Sequence, residues 1–200
     1  MSSPAYTVFG TTKSRALRVV WMLEELGQPY EHVPANPRDE AVRAINPSGK
    51  VPALTVDGET LTDSTAIIQY LADRHGTLTH PAGTLARARQ DALTHCILDE
   101  FDAVLWTAAR HSFILPAERR VAGVKESLRW EFDRNRAAFA ARMGDGPFLM
   151  GETMTVPDIL LTHCCIWARA AKFEITEPTL LDYLTRMRER PALRRAHERG

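Results

Sequence analysis

Strand signals in this chain are confined to its first third. "YTVF" (6–9), "PYEHV" (29–33), "PALTV" (52–56) and "ETLT" (59–62) are short β-type runs, and after "GTLTHPAGT" (76–84) none recurs. Between them the period changes to that of a helix. Ala16, Val19, Met22, Leu23 and Leu26 share one face that ends at Gly27, "RDEAVRAIN" (38–46) reads as a short helix, and Ile67, Tyr70 and Leu71 mark the buried side of a third. Asp57-Gly58 is the chain's strongest hairpin turn signal. The order βαβ, helix, hairpin, helix suits a small mixed sheet covered by helices.

Beyond residue 84 only helical periodicity remains. Leu93, Ile97, Phe101, Val104 and Ala108 predict one long helical face, and Val121, Val124, Leu128, Phe132 and Phe139 predict another. After the break "GDGP" (144–147), Thr155 and Asp158 have the spacing of a helix cap with an acidic partner, and Pro157 falls in the first turn. Leu160, Cys164, Trp167 and Ala171 supply the face of that helix. The expected division is residues 1–77, a linker at 78–84, and an all-helical domain at 85–200.

Two hundred residues are enough to bury a real core in one or two domains. The 25 basic and 25 acidic residues cancel, so no whole-molecule field recruits nucleic acid or an anionic membrane. No apolar run approaches the roughly 20 residues of a membrane span. The start "MSSPAYTVFG" lacks the basic flank and apolar core of a signal peptide, which gives a cytoplasmic expectation. The cysteines, Cys96, Cys164 and Cys165, form no spaced framework and fit a reducing compartment. His163, Cys164 and Cys165 lack the spacing of a zinc site, so no metal is expected and the thiols read as core groups. The arginine-rich end from Arg186 to Arg199 reads as solvated helix faces.

One local feature is awkward for a strand. In "NPSGKVPAL" (46–54), Pro52 stands where a β-run begins, and a proline cannot donate to a ladder. A cis Val51-Pro52 bond would end the loop sharply and leave the backbone of Val51 to grip a peptide.

With these elements in place the sequence resembles the cytosolic glutathione transferase family along essentially its whole length. Four segments carry the likeness, in the family's order: "SRALRVVWMLEELGQPYE" (14–31), "NPSGKVPAL", "LTDSTAIIQYLADR" (61–74) and "FLMGETMTVPDILL" (148–161). The resemblance implies a thioredoxin-like N-terminal domain that binds glutathione as co-substrate, an all-α helical-bundle C-terminal domain that adds a second-substrate pocket, and a homodimer. It implies that Val51 pairs with the cysteinyl part of glutathione like an added strand. Lys50 would meet the glycine carboxylate. Ser64, with Asp63 beside it at a helix start, would bind the γ-glutamyl carboxylate, where free amides and the dipole favour an anion. Capping is the alternative role for Asp63 and Ser64.

The family activates the sulfur with a tyrosine, serine or cysteine near the first strand–helix junction. Here that junction is "FGTTKSRALR" (9–18), which contains neither cysteine nor tyrosine after Phe9. Ser14 resembles the serine of theta-like bacterial members, with Thr11 and Thr12 as alternatives and helix capping as the competing role for Ser14. Trp106, Arg110 and His111 lie on the helix that in this family walls the second-substrate site. The implied activity is transfer of glutathione to a small hydrophobic electrophile. Isomerase, dehalogenase and peroxidase chemistry use the same scaffold, and a noncatalytic ligand-binding or protein-interaction role is the alternative from another class.

Overall fold

The structure, a computed structural model, describes residues 6–199. Its described part forms two compact units, one made of the residues up to Pro81 together with those from Met187 onward, the other of Ala82–Arg186.

The first unit is built on a four-stranded mixed sheet of order β2-β1-β3-β4. Strand β1 (Tyr6–Phe9) pairs in parallel with β2 (Glu31–Val33) and antiparallel with β3 (Ala53–Val56), which pairs antiparallel with β4 (Glu59–Thr62). Asp57 and Gly58 join β3 to β4 with φ of 51° and 85°, the two left-handed residues that a tight hairpin turn needs to match strand twist. The parallel β1–β2 pair requires a crossover, supplied by α1 (Ala16–Leu26), which stops at Gly27 in the left-handed region with φ 61°. Helix α2 is Glu40–Ile45 and α3 is Ser64–His75. This is the expected thioredoxin-like arrangement.

Helix α1 is buried almost all round, from Ala16 to Leu23. Such a helix needs apolar cover on more than one side. Helix α3 provides one side with Ile67, Ile68, Leu71 and Ala72. The other comes from the end of the chain: α9 (Pro191–Glu198) buries Ala192, Leu193 and Ala196 and packs on α1. The C-terminal arginines are therefore more than solvated faces. Arg190 pairs with Glu25, and Arg195 and Arg199 pair with Glu24, both acids standing at the end of α1. Tyr70, expected in the α3 core, is only half-buried and accepts a hydrogen bond from Arg74, while Ile68 takes the buried place. A phenol keeps its polar tip where a partner can reach it, and an isoleucine has none to keep.

In the helical unit, the long face predicted from Leu93 to Ala108 is one helical run with two wider turns in it. Helix α4 (Leu85–Ile97) passes through a π turn (Leu98–Asp102) into α5 (Ala103–Ala109), which ends in a second π turn (Arg110–Ile114). Each π turn inserts a residue and rotates the face that follows. Helix α6 (Val124–Ala140) starts after Val121, which is exposed and contributes nothing to the predicted face. Phe101 meets Phe132 and Phe139 edge-to-face at centroid distances of 5.5 and 5.4 Å, and Phe132 meets Phe173 at 5.3 Å. Geometry of this kind adds to the area each ring buries.

Helix α7 (Val156–Ala170) begins with the predicted capping box of Thr155 and Asp158, with Pro157 in the first turn. Asp158 is fully buried and accepts from the amides of Leu149 (2.9 Å) and Thr155 (2.8 Å) and from the Tyr183 hydroxyl (2.9 Å) on α8 (Pro178–Arg188). Burial pushes its carboxyl above the usual range, against the pull of those donors. Cys164 and Cys165 are core thiols, as read from the sequence, and burial pushes the Cys165 thiol up. Among the described residues no helix is long and apolar enough to cross a membrane.

Candidate glutathione site

Three backbone features of the first unit place the expected site residues. The first is the loop before β3, held by Asn46. This buried side chain donates to the Lys50 carbonyl at 2.9 Å and accepts from the amide and hydroxyl of Ser48 at 3.2 and 2.9 Å. The loop ends in a Val51-Pro52 peptide that is cis, as the sequence suggested. The β1–β3 pairing starts at Ala53, so Val51 stands outside it, and no described residue bonds its backbone amide or carbonyl. Lys50 is exposed.

The second feature is Gly10, where β1 turns toward α1. Its φ is 132°, and a Cβ there would stand 2.8 Å from the Ala16 Cβ and 3.0 Å from the Val51 Cβ. Only glycine lets the strand end, the start of α1 and Val51 come this close. The Gly10 carbonyl is held in turn by His32 Nε2 at 2.8 Å. Ser14 lies just ahead of α1, half-buried. Its hydroxyl donates to the Thr11 carbonyl at 2.7 Å and accepts from the Ala16 amide at 3.1 Å, so it supports the helix start. Thr11 is half-buried and Thr12 is buried.

The third feature is the start of α3. Asp63 holds φ 69°, a conformation that side-chain-bearing residues adopt rarely and that clusters at functional sites. Its Oδ1 accepts from the amides of Thr65 and Ala66 at 2.8 and 3.1 Å, which confirms it as the helix cap. The cap leaves the Ser64 amide unused at the positive end of the helix dipole. Ser64 is buried, and its Oγ accepts from Arg18 Nη1 at 3.2 Å.

Arg18 is the residue that sequence reasoning missed. Its guanidinium is buried, 1% exposed, in the middle of the apolar face of α1. A signal was present, since an arginine inside "ALRVVWML" stands where helical spacing puts the core.

The expected second-substrate residues lie in the helical unit. Trp106 is half-buried on α5, Arg110 is exposed and donates to Thr107 Oγ1 at 2.8 Å, and His111 Nδ1 accepts from the Val121 amide at 3.1 Å. That unit contains a cleft of about 120 Å³, walled by Leu105, Ala108, Ala109, Phe113, Trp167 and Phe173, and none of the three expected residues lines it. Trp106 and Arg110 occupy helix positions adjacent to the cleft-facing ones, which turns them to other faces. Among the described residues no group of three His, Cys, Asp or Glu side chains is gathered as a metal site.

Known proteins resemble this chain along nearly its whole length. Residues 9–80 match the glutathione S-transferase N-terminal domain family. The maleylacetoacetate isomerase of Rhizobium meliloti is 32% identical over 195 residues, covering 92% of this chain and 91% of that protein. A glutathione transferase from Methylococcus capsulatus superposes with a TM-score of 0.83 at 26% identity, over 97% of this chain and 98% of its own. The theta class glutathione S-transferase of Xanthomonas axonopodis pv. citri, solved with glutathione bound, does so with a TM-score of 0.80 at 26% identity, over 96% and 97%. A relative above 30% identity over nine-tenths of both chains, a matching N-terminal domain and the same two-part fold lead to one conclusion: this chain belongs to the glutathione S-transferase family.

Proposed function

We propose that the protein is a serine-type glutathione transferase, which stabilises glutathione as its thiolate for attack on a small hydrophobic electrophile. The observation that carries this reading is Ser64: a buried hydroxyl at the dipole-positive start of α3, beside an amide that the cap leaves unused. These are the donors that a γ-glutamyl carboxylate needs. Val51 supports it with a backbone outside the sheet pairing, able to hold the cysteinyl unit as an added strand would be held. Lys50, exposed on the same loop, is the cation proposed for the glycine carboxylate. Ser14 is the proposed partner of the sulfur, with Thr11 and Thr12 as alternatives. The helical unit is proposed to hold the electrophile in its cleft, against Leu105, Ala108, Phe113 and Trp167, beside the helix positions of Trp106, Arg110 and His111 and not on them.

In this mechanism Ser14 does not act as a base. Its hydroxyl gives up the bond to the Thr11 carbonyl and donates to the sulfur instead, while the start of α1 adds its dipole. A hydrogen bond to the thiolate favours the ionised form and lowers the thiol pKa from its ordinary value near 8.5. The electrophile then meets a nucleophile that is already charged.

One relative supports a second reading. The Rhizobium meliloti protein matched over nearly its whole length is a maleylacetoacetate isomerase, so glutathione-dependent cis–trans isomerisation is a specific alternative reaction for the same thiolate. We propose the assembly to be a homodimer in the cytoplasm.

The test is retention on immobilised glutathione followed by assay against aryl halides, alkyl halides, organic hydroperoxides and maleylacetoacetate. Conjugation is the expected activity, and turnover of maleylacetoacetate alone would move the assignment to isomerase. Retention without turnover of any of these would support the noncatalytic alternative. Sedimentation at micromolar concentration is expected to give twice 22.4 kDa.

A further inference from the structure

Arg18 and Ser64 form a bond whose direction is fixed by chemistry. A guanidinium has donors and no acceptor, so at 3.2 Å it is Arg18 Nη1 that donates and Ser64 Oγ that accepts. The serine proton must therefore point elsewhere. Ser64 is 3% exposed, and among the described residues its hydroxyl makes no other hydrogen bond. A buried hydroxyl with an unserved proton is costly in a finished core. Here it stands at the start of α3, next to an amide that Asp63 does not use.

Arg18 is costly as well. Burying a guanidinium in the apolar face of α1 is tolerated only with partners, and a methionine or leucine at this position would satisfy the packing without the charge. Its bond to Ser64 links α1, which begins just after Ser14, to α3, which opens at Ser64.

We propose that Arg18 is a positioning residue for anion binding at Ser64: by donating to Oγ it commits the serine proton to an incoming carboxylate and holds that hydroxyl at the helix start. This rests on the reading of Ser64 as the γ-glutamyl carboxylate ligand, and it adds the residue that sets the direction of that contact. The arginine itself need not touch the substrate. It removes the rotamer and proton choices that a free serine would otherwise have to give up on binding, a second layer of support behind the contact.

The test compares two tripeptides by calorimetry: glutathione, and 4-aminobutyryl-cysteinylglycine, which lacks only the α-carboxylate of the γ-glutamyl unit. The wild-type protein is expected to prefer glutathione. Arg18→Met is expected to reduce that preference about tenfold, leaving affinity for the analogue within about twofold, the size expected for losing alignment of one hydrogen bond to a charged group. Arg18→Lys, which keeps a charge but not the planar fork, is expected to fall between them. In a Ser64→Ala background neither change at Arg18 is expected to alter the preference further. A merely structural arginine would lower the thermal midpoint and weaken both tripeptides alike. Should Arg18→Met not fold, Arg18→Lys and Ser64→Ala carry the same comparison. An unchanged preference in a variant that still binds glutathione overturns the role of Arg18 alone, whereas a wild-type protein that does not bind glutathione overturns the site reading beneath it.

Discussion

Arg190 grips Glu25 through two bonds, Nε to Oε1 at 2.6 Å and Nη2 to Oε2 at 2.7 Å, and Trp21 Nε1 donates to the same Oε1 at 2.8 Å. This fork joins residues 165 positions apart and fastens the segment leading into α9 to the end of α1. The Glu25 side chain is 8% exposed and that of Arg190 29%, so solvent screens the pair only in part. Bidentate charge-assisted pairs are the strong ones.

Glu25→Ala is accordingly expected to cost about 2 kcal/mol, the range for hydrogen bonds to charged groups. Arg190→Ala should cost at least as much, because it leaves the more buried Glu25 carboxylate without its cation. Urea unfolding of the two single variants and the double variant measures their coupling. A double variant no worse than Glu25→Ala alone is the expected result, and strict additivity would show that the fork contributes nothing.

Glu24, one residue earlier, gives a pH signature. Burial works to raise its carboxyl pKa, but donation from Tyr30 and Arg195 outweighs it and leaves the group below its ordinary 4.5. A carboxyl depressed on folding adds stability that is fully present above the unfolded pKa and is lost as pH falls through the folded one. Glu24→Gln should therefore lower stability at pH 7 and flatten the acid limb below pH about 4.5. Urea midpoints measured from pH 3 to 7 check this, and parallel curves for the two proteins would contradict it.

In the helical unit the burden falls on Asp158. Asp158→Ala removes the acceptor of two backbone amides and of Tyr183, and all of them are buried or half-buried. The expected loss is about 3 kcal/mol, since donors left unsatisfied cost their desolvation. Because the folded carboxyl titrates above its unfolded value, Asp158→Asn is expected to be the milder change and to lose least at neutral pH, where the charged form is disfavoured by burial. Thermal unfolding followed by circular dichroism ranks the two.

Ser64→Ala should raise the KM for glutathione tenfold or more while changing kcat much less, because the contact is far from the sulfur and is made equally before and during reaction. Steady-state kinetics with glutathione varied at saturating electrophile separates the two constants. An unchanged KM would leave Ser64 with no part in binding.

Ser14→Ala is expected to leave glutathione affinity within about twofold, raise the pKa of the bound thiol and lower turnover at neutral pH, with partial recovery as pH rises. Each unit by which the thiol pKa rises corresponds to about 1.4 kcal/mol of lost thiolate stabilisation. Titrating thiolate absorbance in both complexes measures the shift directly. Identical titrations would clear Ser14 and turn attention to Thr11, Thr12 or an amide of the same loop.

Local chemistry determined much of this protein in advance. Gly27 as a helix stop, the Asp57-Gly58 turn, the Thr155–Asp158 cap and the confinement of strands to the first third all act over a few residues, so they could be read from a few residues. The motifs around Val51 and Ser64 were legible for the same reason. What only the tertiary structure decided depends on which surface meets which. Tyr70 has the spacing of a core residue, yet Arg74 and the phenol's own polarity keep its tip outside, and Ile68 is buried instead. Val121 fits a helical period that the backbone does not continue. The arginines from Arg190 onward look solvated until α9 returns to α1, where Glu24 and Glu25 wait at a helix end more than 160 positions earlier. Arg18 shows the limit most clearly: periodicity placed it inside, but the serine hydroxyl it meets there is on another helix, and a one-dimensional pattern carries no information about that distance.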